Sequence, residues 1–249
     1  MRWSLSPTVP IIAEHSVMNN QTDHIIFIAG ASRGIGRALA LELATPNTHI
    51  IALARSVAEL ESLDDTITET TGQSITLLPA DLTEADKIAS LGPQLAERFG
   101  RIDQFYYTAG VMGQLSPLQD INPKQWSELM NLNLNVPFQI LRTIHPLLLQ
   151  SAQPAVALLS ADQNQIGAAY FSAFGASKAA LKALAQSYAA ENPGFNVYAE
   201  CPGLTATSHI RDAYPGKKND LLTPEEAARK IITAIEKGIT NRPQKQKAQ

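Results

Sequence analysis

One cysteine stands in 249 residues, so no disulfide can form within the chain. That scarcity fits a cytoplasmic protein kept reduced, and Cys201 itself reads as a small apolar residue at a strand end. No apolar run approaches the roughly 20 residues that span a bilayer, which argues against a membrane protein. Excess charge is missing too: 20 Lys and Arg face 23 Asp and Glu, a net charge of −3. Nothing in that balance draws in nucleic acid or an anionic membrane. Residues 1–22 lack the sustained apolar core of a signal peptide and read as a disordered extension, with Met18 as an alternative start. Residues 241–249, with Arg242, Lys245 and Lys247, read as a short solvated tail.

What is present is ordinary for a globular chain: 45% hydrophobic and 17% charged residues. The length suits one α/β domain with a full core. Short apolar runs lie at His24–Ala29, His49–Ala54, Ser74–Pro79, Gln104–Thr108, Ala155–Ser160 and Asn196–Glu200. Between and after them come helix-length stretches at Gly34–Ala44, Ser56–Thr71, Thr83–Phe99, Pro123–Gln150, Phe171–Glu191 and Pro224–Lys237. Strands alternating with helices predict βαβ units and a parallel sheet covered on both faces. The expected architecture is a single doubly wound, Rossmann-like domain over 23–240, three layers deep (α/β/α). Asn122 before Pro123, and Thr223-Pro224-Glu225-Glu226, mark helix starts. Leu204–Leu222 has no clear period and is long enough to serve as a lid, and no apolar strand follows Ile239.

The first strand runs straight into Gly30-Ala31-Ser32-Arg33-Gly34-Ile35-Gly36. Glycines there let the backbone turn sharply and let a phosphate approach a helix N-terminus, where unpaired N–H groups favour an anion. The spacing is G-x3-G-x-G, which differs from the general dinucleotide fingerprint G-x-G-x-x-G. It resembles the loop of the short-chain dehydrogenase/reductase family, with Ala29 where that loop usually has threonine. The resemblance covers about Asp23 to Lys237 and rests on several spaced motifs in the right order.

The resemblance implies a bound dinucleotide. Arg55 ends the second strand and Arg33 can approach from the loop, while no acid appears until Glu59. Two guanidinium groups suit the 2′-phosphate of NADP, whereas an acid would suit NAD. Asp81 and Leu82 match the family's adenine contacts, with a helix cap as the plainer role for Asp81. Ala109 and Gly110, in Tyr107-Thr108-Ala109-Gly110, fall at the family's N-N-A-G, whose sheet-stabilising asparagine is absent. Pro202-Gly203-Leu204-Thr205-Ala206-Thr207 matches the loop that walls the nicotinamide, with Thr205 inside it and Thr207 at the family's threonine.

In the catalytic set, Asn133 matches the asparagine of the family's proton relay, although Asn131 and Asn135 flank it and a helix-bending or solvated role competes. Lys178 matches the lysine that holds the nicotinamide ribose and lowers the tyrosine pKa. Phe174 stands where the family places that tyrosine, and Ala161 where it places the serine; Ser160 is adjacent, and a one-residue slip would present it. A carbonyl cannot become an alcohol by hydride transfer alone, since the developing alkoxide needs a proton from a positioned acid. Tyr170, Asp162, Ser160 and Tyr107 are substitute donors, each with a plain structural alternative.

Three functions stay open on the sequence. The first is a catalytically silent NADP-binding protein. The second is an active oxidoreductase on an unidentified small-molecule substrate with a non-standard donor. The third is a structural or interaction protein that binds no nucleotide. The small-residue stripe Ala173, Ala176, Ala180 and Ala183 permits close helix approach, and the resemblance implies a homodimer or homotetramer paired through this helix and the Pro123–Gln150 helix.

Overall fold

Each apolar run becomes a parallel strand because both of its faces find cover. The computed structural model describes residues 24–162, 164–208, 210 and 221–240. Strands β1 (His24–Ala29), β2 (Thr48–Ala54), β3 (Thr76–Pro79), β4 (Gln104–Tyr107), β5 (Ala155–Leu158) and β6 (Asn196–Tyr198) form one sheet in the order β3-β2-β1-β4-β5-β6. All five pairings are parallel. Ile25, Phe27 and Ala29 of β1 face one layer, while Ile26 and Ile28 face the other. The first layer holds α3 (Ala85–Phe99), α5 (Val136–Leu148) and α6 (Ser172–Glu191); the second holds α1 (Gly34–Leu43), α2 (Val57–Thr71) and α7 (Pro224–Thr240). This is the doubly wound, three-layer arrangement expected. The order reverses between β1 and β4, where a cleft opens at the strands' carboxyl ends.

The end opposite the cleft is tied by a buried carboxylate. Asp103 accepts from Ile25 N–H at 2.8 Å, from Arg101 Nε at 3.1 Å and from Ser151 Oγ at 2.7 Å, linking β1, β4 and the turn before β5. Both anticipated helix starts form. Asn122 Oδ1 accepts from Lys124 N–H at 2.8 Å. Thr223 and Glu226 exchange backbone-to-side-chain bonds at 2.8 and 3.2 Å.

Besides strands that end earlier at the cleft, three boundaries depart from expectation. The stretch Pro123–Gln150 is not one α-helix: α4 (Pro123–Met130) passes through a π-turn at Asn131–Asn135 before α5 begins. Ser74 is not strand; its hydroxyl and the next N–H bind Asp64, so β3 starts at Thr76. The helix expected from Thr83 starts at Ala85, because Asp81 Oδ1 holds Thr83 N–H and Oγ1 in a turn, both at 2.8 Å. Asp81 therefore does not cap α3. The expectations for the N-terminal extension, the basic tail and most of the lid fall outside the described residues. Among the described residues no helix is long and apolar enough to cross a membrane.

One half-buried base gives the fold a pH dependence. His49 Nε2 lies 2.8 Å from Thr76 Oγ1 and against the Phe99 ring, and its pKa is lowered to about 4, first by burial and then by the Arg98 charge. The unfolded chain takes a proton near pH 6.5, while the folded chain waits until about pH 4. The stabilisation is therefore whole above pH 6.5 and is lost as pH falls through the interval, on the order of 2–3 kcal/mol. Urea unfolding of wild type and His49→Gln at several pH values between these limits should show a shallower slope in the variant. Parallel slopes would refute the assignment.

Candidate functional site

The cleft begins at the turn between β1 and α1. Gly30 adopts φ +95, and its N–H donates to Leu53 O at 2.8 Å. A Cβ on Gly36 would collide with the Gly30 carbonyl and the Thr108 hydroxyl, so only glycine lets α1 start so near the strand. Thr108 Oγ1 donates to Ala29 O at 3.0 Å and Gly30 O at 3.1 Å. The tie between β4 and the glycine turn thus survives the missing asparagine, made here by a hydroxyl. Arg33 occupies the N-cap of α1 in extended conformation with no side-chain cap bond. That leaves the helix's first N–H groups facing the cleft mouth, an anion site by geometry and dipole.

Ser32, Arg33, Gly34, Ile35 and Arg55 line the same cleft. Arg33 and Arg55 are exposed, and neither takes part in a salt bridge among the described residues. Asp81 and Leu82 lie on the wall beside Arg55. The Asp81 carboxyl is held below its ordinary range by the Thr83 N–H, the Thr83 hydroxyl and the charges of Arg55 and Lys87. Across the cleft, the Thr207 methyl lies 3.4 Å from where a Cβ on Gly34 would sit. Pro202, Gly203 and Thr205 join the lining there. Thr205 bridges Leu222 and donates to Gly203 O at 3.0 Å, which ties this segment to the residues just before α7.

Deeper in, Lys178 is 6% exposed and its Nζ donates to Leu159 O at 2.8 Å. Burial lowers its pKa to about 8. Asn133 is fully buried by the π-turn: Oδ1 accepts from Val111 N–H at 2.9 Å, and Nδ2 donates to Val111 O at 2.8 Å and Ser177 Oγ at 3.0 Å. Its side chain thus braces the segment after Ala109 and Gly110 against α6. Asn131 is half-buried and Asn135 exposed, so only the middle asparagine has this role.

Phe174 lines the cleft one helical turn before Lys178, packed against the apolar cluster of Met112, Phe171 and Ile210. Ala161 and Ser160 line it as well, but the Ser160 hydroxyl donates to Lys178 O at 3.2 Å. The other substitute donors fare no better. Tyr170 precedes α6, has φ +70, is 59% exposed and lies outside the lining. Tyr107 is buried, gives its hydroxyl to Leu132 O at 2.6 Å, and is pushed far above the usual tyrosine range by burial. Asp162 caps a turn at Asn164 N–H. Cys201 is half-buried rather than fully so; it lines the cleft, and burial raises its thiol pKa. The stripe Ala173, Ala176, Ala180 and Ala183 is half-buried or exposed and does not pack onto the sheet.

Sequence reasoning missed Gln165, a buried cleft residue, because it closes the polar run Asp162-Gln163-Asn164-Gln165, which reads as solvated loop. It also missed the work of Thr108, for which the hydroxyl in place of asparagine was the available signal.

The profile of the family described as short chain dehydrogenase matches residues 24–218. The uncharacterized oxidoreductase YciK of Escherichia coli K12 is 31% identical over 196 residues, 78% of each chain. The NADPH-dependent pterin aldehyde reductase of Arabidopsis thaliana is 28% identical over 211 residues, 84% of this chain and 86% of that one. Among solved structures, a short chain dehydrogenase from Escherichia coli CFT073 in complex with NADPH superposes with TM-score 0.79 at 28% identity, covering 86% of this chain and 91% of that one. Sheet order, glycine turn and buried lysine agree with a profile that spans most of the described residues, and the chain belongs to the short chain dehydrogenase family.

Proposed function

We propose that the protein binds NADP in this cleft and is impaired in the carbonyl–alcohol interconversion for which its family's active site is built. The observation that carries the reading is the pairing of an intact nucleotide cradle with Phe174 and Ala161, neither of which has a proton to give. Arg33 and Arg55 would hold the 2′-phosphate, the α1 N-terminus the diphosphate, Asp81 and Leu82 the adenine, and Lys178 the nicotinamide ribose. The open N-cap of α1 and the tight strand-to-helix turn that Gly30 and Gly36 permit fit such a group. When bound, the nicotinamide supplies hydride chemistry. The proton must come from the chain, and the loss of one general acid costs on the order of 10²–10⁴-fold.

NADP, rather than NAD, is further supported by the plant reductase and the NADPH-bound bacterial structure named above. NADPH is expected to bind about tenfold or more tightly than NADH, and Arg55→Asp should erode that preference. Fluorescence titration reads both, and equal affinities in the wild type would sink the NADP assignment. Brisk NADPH oxidation by wild type on general aldehydes would instead refute the impairment and restore the active-oxidoreductase reading. Failure to bind either nucleotide would favour a structural role. Self-association through the outward alanines of α6 belongs to the same proposal, and light scattering at micromolar concentration decides it.

A further inference from the structure

Two buried side-chain polar atoms among the described residues have no hydrogen-bond partner, Gln165 Nε2 and Ser172 Oγ. Of these residues only Gln165 lines the cleft. It is 3% exposed, and its backbone is held from two sides. Its N–H donates to Asp162 O at 2.9 Å, and its carbonyl lies 3.1 Å from where a Cβ on Gly175 would sit. Gly175 follows Phe174 on α6, so the Gln165 backbone lies close against the first turn of that helix, and both Gln165 and Phe174 line the cleft. Part of the same cleft is apolar, lined by Met112, Phe174, Leu204 and Ile210. A primary amide buried in such a cleft has lost water and gained nothing, a cost that a ligand able to accept its hydrogen bond would offset.

We propose that Gln165 is the specificity-determining residue of the cleft, its Nε2 donating to a carbonyl oxygen on an otherwise apolar ligand packed against Phe174 and Met112. The inference rests on the cleft's being the ligand site of an NADP-binding protein, as argued above, and deepens that reading. A carboxamide donates a hydrogen bond but does not ionise near neutral pH. Gln165 therefore holds a carbonyl oxygen in a site whose residues at 161 and 174 cannot protonate it.

The test uses the full chain, with and without saturating NADPH, and two probes: acetophenone and isopropenylbenzene, which differ by a carbonyl oxygen against a methylene. Competition followed by saturation-transfer NMR should favour the ketone by about tenfold or more in wild type. The two probes should bind equally to Gln165→Leu, which keeps the bulk without the amide. That variant should melt no lower than wild type, because an unpaired buried donor has been removed. The ketone-to-alkene ratio is the readout that a merely structural role would not move. If the leucine variant does not fold, wild type with isotope-labelled glutamine side chains decides the matter. An amide resonance shifted by acetophenone and not by isopropenylbenzene supports the assignment, and a resonance that ignores both overturns it. Equal probe affinities in wild type, a preference that survives in Gln165→Leu, or binding of neither probe also overturns it. A parallel NADPH titration separates the two readings, since lost nucleotide binding counts against the function proposed above and leaves the probe ratio to be judged alone.

Discussion

Phe174→Tyr combined with Ala161→Ser is expected to raise NADPH-dependent carbonyl reduction by on the order of 10²-fold or more over wild type. Tyrosine keeps the ring volume already packed against the cluster of Met112, Phe171 and Ile210 and adds the missing hydroxyl. Lys178 sits one turn further along α6, buried and positively charged, where it can depress a phenol's pKa. Asn133 braces the adjoining segment without any change being required. Because residues that act as a unit are strongly non-additive, the double variant should exceed the product of the two single ones. Steady-state oxidation of NADPH with a panel of aldehydes and ketones measures the gain. A double variant that binds NADPH but reduces nothing would mean that the defect extends beyond these two side chains.

Gly36→Ala should abolish nucleotide binding, with NADPH affinity falling by about 100-fold or more. The added carbon has nowhere to go: the Gly30 carbonyl and the Thr108 hydroxyl already occupy its place. Either the start of α1 shifts or the turn opens, and both spoil the approach of a diphosphate to the helix N-terminus. The overpacking itself should cost about 1–3 kcal/mol of stability. Calorimetric titration beside thermal melting separates the two effects. Native affinity in a folded Gly36→Ala protein would show that the turn does not hold the nucleotide.

The six strands were legible because parallel sheets bury both faces and leave short unbroken apolar runs. Their ends were overestimated at Thr108, Ser160 and Glu200, where the apolar pattern continues but the chain leaves the sheet at the cleft end. The glycine loop and Lys178 could be placed because spacing and an odd charge on a small-residue helix are local properties. Three alternating asparagines look alike in sequence, and only tertiary packing distinguishes the buried Asn133 from its neighbours. Gln165 had no such local mark. Its backbone lies against Gly175, a contact that no window around residue 165 contains.

The π-turn at Asn131–Asn135 also has a mechanical meaning. Each residue advances an α-helix by about 100°, so a widened turn leaves the helices on its two sides out of phase. Before it, α4 packs on α6; after it, α5 lays Ile140, Ile144 and Leu147 along α3 and the sheet. One length of chain thereby serves two neighbours that an evenly wound helix could not both face. Tightening that turn to ordinary α winding with every residue kept would act as a rotation of everything downstream, swinging the apolar stripe of α5 away from the layer it seals.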